Sequence, residues 1–62
     1  MTSKYVSLKG KDLTVRINTA YIVAYAYDDE ADNTVIWFLG MPHPVSYPGD
    51  QRKEIAMAIA SA

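Results

Sequence analysis

A single imidazole is present in the 62-residue chain, His43, and it stands between Pro42 and Pro44 with Ser46 and Asp50 downstream. A histidine acts as a general base when it lies within hydrogen-bond reach of a nucleophile and is oriented by a third group. These residue types are right for that task, but neither a nucleophile elbow nor an oxyanion loop accompanies them. An ordinary loop histidine is therefore the expectation, and the chain reads as a non-enzyme. The acidic run Asp28-Asp29-Glu30-Ala31-Asp32-Asn33 is the second constellation. Asp28, Glu30 and Asp32 have the alternate spacing of a calcium loop, yet Asn33 stands where that loop needs Gly and Leu39 where it needs the distal Glu. A solvated hairpin loop is expected there, with no metal and no cofactor.

The third constellation is aromatic and basic. Single-strand binders combine stacking platforms with cationic side chains. Tyr21, Tyr25 and Tyr27 can supply the platform, and Lys9, Lys11 and Arg16 the charge, with Arg52 and Lys53 further on. Against this, seven acids offset six bases, the net charge is −1 and the pI is near 5.6, which excludes a protein held to nucleic acid by bulk electrostatics. Nucleic-acid or nucleotide binding stays as the alternative function.

The elements that position these residues follow from periodicity. Tyr5-Val6-Ser7-Leu8 reads as a strand, and the polar turn Lys9-Gly10-Lys11-Asp12 follows. Leu13, Val15 and Ile17 alternate with Thr14 and Arg16, the signature of a half-buried strand. Ala20 to Tyr27 is predicted as a third strand with Tyr21, Val23, Tyr25 and Tyr27 on one face and Ile22, Ala24 and Ala26 on the other. Thr34 to Leu39 pairs with it around a six-residue loop. Val35, Trp37 and Leu39 line one face of that strand and Ile36 and Phe38 the other, so both faces call for burial. The segment with Pro42, Pro44 and Pro48 supplies at best a short edge strand around Val45. Asp50 suits the N-cap of a helix from Gln51 to Ala60 that presents Ile55 and Ile59. The fold class is α+β: one domain over 1–62, an antiparallel sheet of four or five strands, and a C-terminal helix packed on one face.

Fifty per cent of the residues are hydrophobic. In a chain this short, burial gain and ordering cost nearly cancel, and small domains escape with disulfides, a metal or a partner. There is no Cys and His43 stands alone, so disulfides and structural zinc are excluded and self-association remains. The helix is expected on the Ile22/Ala24/Ala26 side, leaving the Tyr and Trp side to meet a second copy or another protein. The interface residues expected are Tyr21, Tyr25, Tyr27 and Trp37, with Arg16 and His43 as further binding candidates. No apolar run has the ~20 residues of a membrane span, and the N-terminal MTSKYVSLKG lacks a signal-peptide core, so a cytoplasmic protein without membrane partners is expected.

Leu8-Lys9-Gly10, Ile17-Asn18 before Ile22, Thr34-Val35-Ile36 with Phe38 and Gly40, then Val45 and a helix bearing Glu54-Ile55, together resemble the FlbD-like small flagellar and phage regulatory proteins over most of the chain. The layout also resembles LytTR-type DNA-binding domains. The first resemblance implies a small bacterial or phage regulator acting through protein contacts. The longer acidic loop and Pro42, Pro44 and Pro48 depart from the family pattern, and no functional residue is carried over.

Overall fold

The computed structural model describes residues 5–60, in which two antiparallel sheets and one helix enclose a small core. Strand β1 (Tyr5–Lys9) pairs with β2 (Thr14–Asn18), Val6 opposite Ile17 and Leu8 opposite Val15. Strands β3 (Ile22–Asp28), β4 (Asn33–Phe38) and β5 (Val45–Pro48) form the second sheet in that order, and helix α1 (Arg52–Ala60) follows. The α+β class and the trailing helix agree with the sequence reading. The single sheet does not: the strands divide two and three, because Asn18 turns the chain out of β2. Its side chain accepts from Ala20 N at 3.0 Å and caps a 3-10 turn over Thr19–Tyr21, so Tyr21 lies before β3 rather than within it.

The core is one cluster of Val6, Leu8, Ile17, Ile36, Tyr47 and Ile55, with Ile22, Tyr25, Phe38 and Val45 packed against it. Its composition reverses the predicted faces of β3. A bulge between Ile22 and Ala24 lets Ile22 oppose Phe38 while Tyr25 opposes Ile36. Val23 is the extra residue, and one extra residue exchanges the faces of everything beyond it. Ile22 therefore shares the core side with Tyr25 and Tyr27, and Ala24 and Ala26 face outward with Trp37 and Val35. The helix packs on the Tyr side, not on the Ala side as the alternation suggested.

The β3–β4 loop is also shorter than expected, four residues between the pair Asp28 and Asn33. Asp32 reverses the chain with φ 54°, a left-handed conformation that Asp tolerates. The helix starts at Arg52 rather than Gln51, and Asp50 still serves its N-terminus by accepting from Arg52 N at 3.2 Å. Ile55 is buried as predicted, but Ile59 is 43% exposed and Ala58 packs on the core instead. Leu13, predicted to face inward, is 64% exposed in the β1–β2 turn, where Gly10 N donates to its carbonyl. No helix among the described residues is long and apolar enough to cross a membrane.

Candidate functional site

Three loops meet at one end of the molecule, and a buried polar clasp holds them. Gln51 sits at the junction of β5 and α1. Its side-chain Oε1 accepts from Lys9 N at 2.8 Å, and its Nε2 donates to Lys9 O at 2.9 Å and to Pro48 O at 2.8 Å. One primary amide thereby satisfies both backbone groups of the last β1 residue, as a neighbouring strand would. Gln51 N donates to Thr34 Oγ1 at 2.8 Å, and that hydroxyl donates to Gly49 O at 2.7 Å. Gly49 N closes the ring of contacts on Asp32 O at 2.7 Å, with Gly49 at φ 78°, a conformation glycine adopts without the Cβ clash. Among the described residues no buried side-chain N or O atom lacks a partner. The clasp ties the end of β1 to the β3–β4 loop and to the start of α1, so Lys9, Lys11, Asp12, the acidic loop, Asp50 and Arg52 gather at this pole.

The groups at this pole engage one another. Asp28 Oδ1 accepts from Glu30 N and Ala31 N at 3.1 and 3.3 Å, and Asp32 Oδ1 accepts from the Tyr27 hydroxyl. That bond to Asp32 is the main reason the Tyr27 phenol is pushed up to about 12. Arg52 lies over the Tyr27 ring, 4.8 Å from its centroid, and forks onto Asp50 with Nε to Oδ1 at 2.9 Å and Nη2 to Oδ2 at 2.7 Å. The fork holds the Asp50 carboxyl below its ordinary range. Tyr47, against the core, is raised by burial.

Most of the remaining sequence carries no charge. Residues 17–27 and 33–49 contain no Asp, Glu, Lys or Arg, and neither do residues 55–62. Strand pairing brings most of the first two stretches together in the three-stranded sheet, on whose outer face Trp37 lies beside Ala24, and Val35 between Ala26 and Ser46. Trp37 is 40% exposed there. Leu39 N donates to Tyr21 O at 2.8 Å, which extends the pairing past the bulge and brings exposed Tyr21, Val23 and Leu39 to the same end.

The expected site residues are therefore divided. Trp37 is on the outer face, Tyr25 and Tyr27 are on the core face under the helix, and Tyr21 is exposed in the 3-10 turn. Arg16 is elsewhere, on the outer face of the β1–β2 hairpin, over the Tyr5 ring at 4.8 Å. His43 is exposed in the β4–β5 connection. It is separated from Asp50 by β5, whose four residues extend roughly 13 Å, so the two do not form a catalytic pair. Among the described residues no group of three or more His, Asp or Glu side chains could hold a metal ion.

Sequence reasoning passed over Ala24, Ala26, Val35, Thr34 and Gln51. The alanines looked like a seat for the helix. The bulge that turns them outward has no local sequence mark. No family model, curated protein or solved structure matches this chain.

Proposed function

We propose that this chain is a small non-enzymatic regulatory or assembly protein that associates with itself and with another protein through the exposed apolar surface of the three-stranded sheet around Trp37. The observation that carries the reading is Trp37, 40% exposed opposite Ala24 on a face that also carries Ala26, Val35 and Ser46. Tryptophan with a desolvatable apolar surround is the usual anchor of a protein interface, and depletion of charge marks the interface core. Likeness to FlbD-like regulators supports the regulatory half of the reading.

Trp37 is the sole tryptophan, so its fluorescence reports on this face alone. Emission should shift to the blue as protein concentration rises, in step with mass from light scattering, and Trp37→Ser should remove the association while leaving the fold. A strict monomer at high concentration overturns the self-association. The Arg16–Tyr5 stack, flanked by Ser7 and Lys9 on the outer hairpin face, favours nucleic-acid binding as a second reading. Any such affinity must fall steeply with salt.

A further inference from the structure

Two copies can meet face to face or side by side, and the four sheet edges are not equivalent. The free side of β1 is clasped by Gln51 at Lys9. β2 carries Arg16 and follows Lys11 and Asp12, while β5 ends at Pro48 and follows Pro44. Charges and prolines of this kind protect an edge against pairing with another chain. β3, at seven residues the longest strand among the described residues, has neither before its last residue, Asp28, and the bulge at Val23 near its start leaves Ala24–Asp28 regular. Among the described residues it pairs with β4 alone.

We propose that self-association occurs by antiparallel pairing of β3 with β3 of a second copy, joining the three-stranded sheets into one continuous sheet. This rests on the self-association reading above. The sequence of the edge favours a copy of itself. Residue 25 is the midpoint of Ile22–Asp28, and a two-fold axis there pairs the centre of the strand, Ala24 to Ala26, clear of the bulge at Val23. The run Ala24-Tyr25-Ala26 is symmetric about it, placing Tyr25 opposite its own copy and each Ala24 opposite Ala26 of the other copy. Paired aromatic residues across strands are favourable, and no like charges are apposed.

On the outer face the row then reads Trp37, Ala24, Ala26 of the second copy, Val35 of the second copy, because Ala24 opposes Trp37 and Ala26 opposes Val35 within each sheet. The two small residues leave the Trp37 ring room to lie across the junction. Tyr21, Val23, Trp37 and Leu39, 40–65% exposed, leave on the order of 500 Å² of side chain uncovered beside this edge. The part of this surface that meets the second copy adds to the main-chain hydrogen bonds of the joined strands.

The register makes a charge-swap test possible at two exposed positions. In Ala24→Lys/Ala26→Lys, like charges face each other twice, and the dimer dissociation constant should rise about tenfold or more at low salt. In Ala24→Lys/Ala26→Glu, the lysine introduced in each copy faces the glutamate introduced in the other. That double match should restore wild-type association within about threefold and lose the restoration at high salt. Circular dichroism should show both variants folded. Equal weakening in both variants, as a face-to-face stack would give, overturns β3 pairing, and so does wild-type association in both. Either result leaves self-association standing, whereas a wild-type chain that stays monomeric overturns both.

Discussion

Replacing Gln51 by Met keeps the length of the side chain and removes all of its polar contacts, so it isolates what the clasp contributes. The amide makes three hydrogen bonds, to Lys9 N, Lys9 O and Pro48 O, all between 2.8 and 2.9 Å. At about 1 kcal/mol net for each, the loss is about 3 kcal/mol. A chain of 62 residues has a total stability of roughly 3–9 kcal/mol, so the variant should lose a third of it or more. The melting temperature should fall by roughly 12–24 °C, taking about 4–8 °C for each kcal/mol in a domain of this size. Urea unfolding followed by circular dichroism measures this, at one fixed protein concentration because association adds to apparent stability. Amide exchange supplies an independent readout, since the Lys9 N–H is protected only while Oε1 accepts from it. A loss below about 1 kcal/mol, or an unchanged Lys9 exchange rate, would refute the claim that the clasp joins hairpin to helix.

Thr34→Val removes the hydroxyl that bridges Gln51 N and Gly49 O and should cost about 2 kcal/mol, read by the same unfolding curves. Ile55→Ala should cost about 2–5 kcal/mol, whereas Ile59→Ala should stay within about 0.5 kcal/mol, a contrast that checks which isoleucine faces the core. Spectrophotometric titration should show Tyr27 ionising near pH 12, and Asp32→Asn should bring it back toward 10.0. Because the folded value is raised, this bond's contribution is fully present below the free phenol's value and is lost as pH rises through about 12. The Asp50 contribution runs the other way: with the folded value lowered by Arg52, it is present above the ordinary carboxylate range and disappears as pH falls through the folded value.

Strand positions were legible because Val6, Leu8, Val15, Ile17 and Ile36 alternate, and alternation reports one-sided burial wherever pairing is regular. It failed at Val23, where a bulge inserts one residue, and the error moved Tyr25, Tyr27 and both alanines to the wrong side together. The division into two sheets hangs on Asn18, whose capping of a three-residue turn is a local competition that periodicity does not register. Gln51 and Thr34 escaped notice for a different reason. A polar residue in an isolated sequence looks solvated, and only the fold brings Lys9 within reach of Gln51 across 42 positions. Trp37 alone among the expected aromatic residues was placed on an open sheet face, because β4 is regular and its pairing with β5 adds no bulge.

That span of 42 positions has a kinetic meaning. The β1–β2 and β3–β4 hairpins close over short loops, whereas the contact between Lys9 and Gln51 needs both hairpins, β5 and the helix start in place. A contact that closes after the rate-limiting barrier governs how quickly the chain opens and leaves the folding rate nearly unchanged. Gln51 therefore acts on lifetime: Gln51→Met should speed escape from the folded state by about a hundredfold if all of its roughly 3 kcal/mol falls on the unfolding limb, while the refolding limb stays in place.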